Sequence, residues 1–435
     1  MSSKASRFEV LSWCLYDFAD SSFTTLIVTV AYSIYFREVV AGDRGAGANF
    51  YWGLSISISM LIVAFLSPAL GAIADISGRK KQFLIGFALT SILFTVLLVT
   101  VKAGDLATGM LLFIIANIGY EGAHVFYNAF LPEIASDEEM GRISGIGWAT
   151  GYIGALIALI LTLPFTRAGL GDEGVATYRL TFAAVALFYL IFSLPIFFGL
   201  RERTPRRRGI GLRTAREALW RLRDTFRHVR QLKDLFRFLL AFIVYNDGVT
   251  TVIAFSAIYA MQVIGFTVSQ VMMLFIVTQI SAFAGALATG YIVDRWGARP
   301  TIACTLVLWC GVVVAAFLVT SVPAFFAVGI AASLGMGSTQ TASRSLMGLL
   351  IPPGRSAEFF GFYGLTGKIS AVIGPLLYGS VAAWAGSERP AVLSLVIFFA
   401  AGLGLMTLVD VPRGRAAAAG IAKNVPDPPP HPVAS

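Results

Sequence analysis

Asn117, Glu121, His124 and Asn128 fall at i, i+4, i+7 and i+11, a spacing that lines one face of an α-helix. The residues around them are apolar, so an ionisable group there must face something polar or be very costly. A carboxylate one turn from an imidazole, shielded from bulk water, can take up, share and release a proton. Two other uses stay open for Glu121: a lasting pair with a cation across a cavity, Arg344 or Lys368, or direct contact with a substrate. Ser333, Gly337, Gln340 and Arg344 repeat the same spacing in the second half. Asp17, Asp20, Ser21 and Thr24 form a third polar set, and Asn246, Asp247, Thr250 and Thr251 a fourth, with Gln279 and Lys368 as isolated additions. Glu121, His124, Asp247 and Asp20 are the proton-coupling candidates. Asp247 lies about 16 Å into its apolar stretch at helical rise, near mid-depth, and is expected to be the cavity carboxylate. Asp17 and Asp20 sit near an end, where a gate contact is the expected use.

A second kind of chemistry is carried by a charged loop that occurs twice. Gly71-Ala-Ile-Ala-Asp75-Ile-Ser-Gly78-Arg79-Lys80-Lys81 is matched by Gly290-Tyr-Ile-Val-Asp294-Arg295-Trp-Gly297-Ala-Arg299-Pro300, with the two aspartates 219 positions apart, near half of 435. Each copy separates two long apolar stretches. The glycines supply tight turns, and each acid is expected to be held by the basic residues of its own turn, forming a latch that breaks and reforms.

The elements that must position these groups are spans of a membrane. The chain is 57% hydrophobic and 13% charged, with a mean hydropathy of +0.77. Stretches of roughly 20 apolar residues centre near Ile27, Leu61, Phe94, Ile115, Ile157, Leu187, Phe255, Phe283, Val312, Val328, Val372 and Ile397. They are long and continuous, as helices require, and lack the short alternation of barrel strands. The fold class is therefore all-α: a polytopic membrane protein of twelve helices in two six-helix bundles related by a pseudo-two-fold axis. The polar sets then fall on spans 1, 4, 7 and 10, with additions on 8 and 11. Loop repeats support the duplication: Phe130-Leu131-Pro132 matches Leu350-Ile351-Pro352, and Thr24-Thr25-Leu26-Ile27 matches Thr250-Thr251-Val252-Ile253.

The net charge of +9 comes from Lys and Arg gathered on alternate loops, which by the positive-inside rule puts both termini and the central loop in the cytoplasm. A nucleic-acid partner is not expected, nor is a cleaved leader, because the first apolar stretch carries Asp17 and Asp20. The organisation read from the sequence is a first bundle over 1–200, a basic linker over 201–235, a second bundle over 236–413 and a disordered tail over 414–435. In the linker Leu212, Ala215, Leu219, Leu222, Phe226, Val229 and Leu232 recur at helical steps opposite arginines, as expected of a helix lying on anionic headgroups. Cys14, Cys304 and Cys310 fall within spans, and no metal, cofactor or catalytic motif is expected; no phosphate loop, metal-spaced histidine cluster or nucleophile motif stands out. Glycines at 147, 151 and 154, and at 364, 367 and 374, are read as close-packing or bending points.

These motifs carry a resemblance. The paired loops, twelve spans and long central loop resemble the major facilitator superfamily. Tyr16-Asp17-Phe18-Ala19-Asp20-Ser21-Ser22-Phe23, Tyr127-Asn128-Ala129-Phe130-Leu131-Pro132, Tyr245-Asn246-Asp247-Gly248-Val249 and Ser343-Arg344-Ser345-Leu346, with Ile351-Pro352-Pro353-Gly354-Arg355, are similar to its UMF branch, relatives of fungal vacuolar amino-acid effluxers. The resemblance implies a central cavity lined by helices 1, 4, 7 and 10 that opens alternately to each side. Two departures are visible: Asp20 stands where the branch is expected to have Asn, and Gly151-Tyr152 where the superfamily's antiporters have Gly-Pro. The expected function is secondary transport of a small organic, amino-acid-like solute coupled to protons, by a monomer in a bacterial inner membrane. The alternative is a translocator of lipids, lysolipids or other amphiphiles, or a drug exporter, of the same fold.

Overall fold

The computed structural model describes residues 5–42, 46–171, 173–203, 211, 214, 216–218, 220, 232–370 and 373–423. Most of the expected linker helix lies outside the described residues. Twelve helices among the described residues are long and apolar enough to cross a membrane: α1 Arg7–Val40, α2 Ala48–Ser77, α3 Lys80–Thr100, α4 Leu106–Ile134, α5 Met140–Thr166, α6 Val175–Gly199, α7 Lys233–Ile264, α8 Gln270–Trp296, α9 Ala298–Leu318, α10 Val322–Leu350, α11 Ser356–Ala385 and α12 Glu388–Thr407. In lipid the backbone has no water to bond with, so each span satisfies its own N–H and C=O groups as a helix.

Odd-numbered helices start, and even-numbered ones end, on the side that carries the two charged loops, called here the loop side. α1–α6 form one bundle and α7–α12 the other; the bundles meet where α2 packs on α11 and α5 on α8. Small residues make those contacts possible, because lipid tails compete for any looser surface. A Cβ placed on Gly71 would lie 2.2 Å from the Ala357 carbonyl oxygen, and one on Gly145 2.6 Å from that of Ala286. Gly78 and Gly297 hold φ of 64° and 89°, the left-handed turn by which α2 passes to α3 and α8 to α9.

Three departures from regular helix matter for the site. α1 widens to i→i+5 bonding over Phe23–Val30 and Phe36–Val40, just beyond its acidic residues. α11 is interrupted between Ser356–Ile369 and Ile373–Ala385. And of the segment expected to be disordered, 414–435, the part up to Lys423 is helical, within α13 over Val411–Lys423, while 424–435 lie outside the described residues. Its alanines favour helix, and Arg413 fastens it by donating to Asp234 from Nε at 2.7 Å and Nη2 at 2.6 Å. Arg415 reaches across to Asp137 of the first bundle.

Candidate functional site

The two charged loops bind chiefly across the bundles, with Lys80 beside Asp75 as the one contact of the expected kind among those described. Asp75, at the end of α2, accepts from the backbone N–H groups of Ala357 (3.2 Å) and Glu358 (2.9 Å), in the first turn of α11. Asp294, at the end of α8, accepts from Gly141 (2.7 Å) and Arg142 (3.0 Å), in the first turn of α5. Each acid therefore caps a helix of the opposite bundle. The physical reason is that a helix N-terminus presents unpaired donors and the positive end of its dipole, which hold a carboxylate better than a solvated guanidinium does. Of the basic residues, Lys80 lies beside Asp75, and the others are used elsewhere. Arg299 donates to the carbonyls of Met406 and Thr407, Arg79 to Gln82, and Arg295 is exposed. Lys80 is 1% exposed: it pairs with Glu133, lies 3.6 Å from Asp75 and donates to Ser356 Oγ at 3.1 Å. Glu202, after α6, accepts from the N–H groups of Lys80 and Lys81; burial pushes its carboxyl above the ordinary range despite those bonds.

Deeper on the loop side lies a second inter-bundle lock, around Arg344 of α10. This side chain is 1% exposed. It donates to the Ser144 carbonyl (2.5 Å), Ser144 Oγ (3.0 Å), Asp17 (3.3 Å) and Asn128 Oδ1 (3.4 Å), all in the first bundle. Trp13, Trp148 and Tyr127 surround its guanidinium with centroids at 4.9, 5.0 and 5.7 Å, and Tyr127 also donates to Asp17 at 2.8 Å. A buried guanidinium is tolerable because its donors and its faces are both occupied. Asp17 thus joins the two bundles through Arg344. Ser144 and the aromatic wall were not found from the sequence, because residues brought in by α5 and the start of α1 share no spacing with Arg344.

Above this lock the space between the bundles opens. Glu121 of α4 and Lys368 of α11 pair across it at 2.9 Å, with side chains 18% and 14% exposed, so the floor of the opening reaches them while Asp17 and Arg344 stay sealed at 3% and 1%. His124 Nδ1 faces Asp20 at 3.4 Å, with side-chain exposures of 23% and 2%. The inter-bundle hydrogen bonds described here all lie between the loop side and this level; toward the opposite side, bonds such as Tyr32 to Gly109, Tyr178 to Ala31 and Tyr259 to Ala316 stay within one bundle. Among the described residues, the bonds that join the two bundles thus gather on the loop side and at the Glu121–Lys368 level.

Of the remaining candidates, Asn117 is buried and donates to Ser59 of α2 (2.7 Å), within its own bundle. Thr24, Gln279 and Gln340 are half-buried on α1, α8 and α10. Asp247 is a correction: it is buried, and accepts from the N–H groups of Ile373 (3.1 Å) and Gly374 (2.9 Å), where α11 resumes. Asn246 donates to Ser370 at 2.6 Å, and Thr250 lies 3.5 Å from the Ser370 carbonyl. The broken helix exposes backbone donors at mid-depth, and Asp247 is consumed in satisfying them. The interruption could not be read from Gly374-Pro375 alone.

Comparison with known proteins places this arrangement. Residues 48–419 match a family described as "Vacuole effluxer Atg22 like". The chain is 30% identical over 404 residues to an uncharacterized MFS-type transporter, YxiO, of Bacillus subtilis, covering 92% of this chain and 94% of that protein. It is 26% identical to autophagy-related protein 22 of Pichia angusta, over 86% of this chain and 76% of the relative. Among solved structures, the human organic anion transporter MFSD10 (TETRAN) superposes with a TM-score of 0.71 at 17% identity, covering 92% of this chain and 98% of that one.

Proposed function

The chain belongs to the Atg22-like family of major facilitator transporters, and from that premise we propose that it carries a small zwitterionic, amino-acid-like solute by alternating access, coupled to protons. The observation that carries this reading is the Glu121–Lys368 pair at 2.9 Å, on facing bundles at the floor of the opening. A zwitterion presents the same two charges in reverse. Its carboxylate satisfies Lys368 and its ammonium satisfies Glu121, so binding dissolves an ion pair that ties the bundles at that depth. A proton on Glu121 does half of this alone, and His124 with Asp20 beside it holds a further titrating pair on the first bundle. Asn128 and Thr250 serve the gate and the α11 break rather than the solute. Gln340 and Thr24 are left as solute contacts.

The excess of Lys and Arg on the loop side orients it to the cytoplasm of a bacterial inner membrane, with both termini inside and anionic lipid against the linker. The state described above is then outward-open. Asp75, Gly78, Arg79, Lys80, Asp294, Arg295, Gly297 and Arg299 form the inner gate, and the carrier works as a monomer.

The test is transport of radiolabelled amino acids by purified protein in proteoliposomes with an imposed pH gradient. Gradient-driven flux that is lost in Glu121→Gln is expected. Flux indifferent to the gradient, with lysolipid translocation in its place, would replace this reading with an amphiphile translocator.

A further inference from the structure

On the open side, within the second bundle, the ends of α7 and α11 part around a cavity of about 660 Å³ lined by Phe255, Gln262, Tyr378, Ser387 and Glu388. We propose that this cavity is a second ligand site, which takes an organic ammonium carried on an apolar body. It lies outside the Glu121–Lys368 pair: Lys368 is in the first segment of α11 and Tyr378 in the second. Its occupancy does not depend on the transport reading.

The chemistry of the lining selects the ligand. Phe255 and Tyr378 stack with centroids 4.2 Å apart and make an aromatic wall, the surface on which a cation or a ring is held. Tyr378 is 1% exposed, yet its hydroxyl has no hydrogen-bond partner of good geometry. One buried carboxylate oxygen of Glu388 is likewise without a partner. The phenol and that carboxylate are close enough to interact as a weak, poorly aligned hydrogen bond, which leaves each of them open to a better-placed donor. Glu388 is the charged side chain of the lining, and its neighbour Arg389 is turned away, donating to the Phe317 carbonyl at 2.7 Å. A carboxylate with no basic side chain paired to it among the described residues, beside a weakly held phenol and an aromatic face, repels anions and is completed by an ammonium, which brings donors to both oxygens. The volume suits a ligand larger than a bare ion. An amine of this kind is either a free solute or the headgroup of an ethanolamine lipid entering at the membrane edge.

The experiment is isothermal titration of the full chain in phosphatidylglycerol nanodiscs with 2-phenylethylammonium, and with neutral 2-phenylethanol as its isostere. Binding of the cation but not the alcohol is expected, weakened about tenfold or more by Glu388→Gln and several-fold by Tyr378→Phe, and unchanged by Glu121→Gln. Unfolding curves check that each variant is folded; if Glu388→Gln is not, Tyr378→Phe and Gln262→Leu carry the test. Equal binding by wild type and the folded cavity variants overturns the proposal. So does loss on Glu121→Gln alone, which puts the ammonium at the central pair, and so does absence of binding to wild type. Repeating the titration with half the lipid replaced by phosphatidylethanolamine separates the sources: weaker apparent binding assigns the site to the headgroup, and unchanged binding to the free amine.

Discussion

Asp75→Asn and Asp294→Asn are expected to open the loop side, by an amount the structure allows to be worked out. Each carboxylate accepts two backbone N–H bonds from the first turn of a helix in the opposite bundle, at 2.9 to 3.2 Å for Asp75 and 2.7 to 3.0 Å for Asp294. An asparagine keeps one acceptor oxygen, turns an NH₂ toward the other donor and gives up its charge at the helix dipole. A charge-assisted bond is worth about 1.5–3 kcal/mol, so each substitution should weaken the closed state by about 2 kcal/mol. At 1.4 kcal/mol per tenfold that moves the equilibrium about 30-fold. The latches lie on different helix pairs and share no partner, so the double variant should sum to about 4 kcal/mol, nearly a thousandfold. Gln82 and Arg295 are exposed on the loop side of the two bundles. Spin labels on cysteines at those positions, with the three native cysteines replaced, report the separation by pulsed electron resonance. The closed distance should dominate in the parent, give way partly in the single variants and disappear in the double. Identical distance distributions in the parent and the double variant would refute the idea that these carboxylates hold the gate.

Three further outcomes follow from the site. Arg344→Lys keeps the charge but cannot reach Ser144, Asp17 and Asn128 together or stack between the indoles, and should destabilise the loop-closed form by about 3 kcal/mol, seen as a lower melting temperature and a wider Gln82–Arg295 distance. Lys368→Met strands Glu121, whereas Lys368→Met with Glu121→Gln removes both charges; a double-mutant cycle on thermal stability should return a coupling of about 1.5–3 kcal/mol, and a cycle summing to zero would mean that the pair is not formed. Asp247→Asn loses one of two acceptors for the resumed turn of α11 and should cost about 1–2 kcal/mol in stability with KM unchanged, whereas a rise in KM at unaltered stability would return Asp247 to the solute cavity.

Periodicity sees what lies on one helix and little of what faces it. The twelve helices, the duplication and the shared face of Glu121 and His124 were all legible, because each is a pattern within one stretch of chain. Lys368 was legible as a misplaced cation, and as one of two candidate partners for Glu121. The role of Asp247 was not, since depth along α7 says where a carboxylate lies but not that a neighbouring helix breaks beside it and presents two N–H groups. The loop aspartates show the same limit: nearby arginines were visible in sequence, and the distant helix N-termini that hold the acids were not. The Arg344 cage draws on α1, α4 and α5, so only the folded chain assembles it.

The fastening of α13 bears on how such a carrier is made. Arg413 binds Asp234, at the start of α7, and Arg415 binds Asp137 in the first bundle. Both arginines leave the ribosome after every spanning helix has been synthesised. The clasp on the loop side therefore cannot close until all twelve spanning helices have been made, so it ties the end of synthesis to the joining of the two bundles.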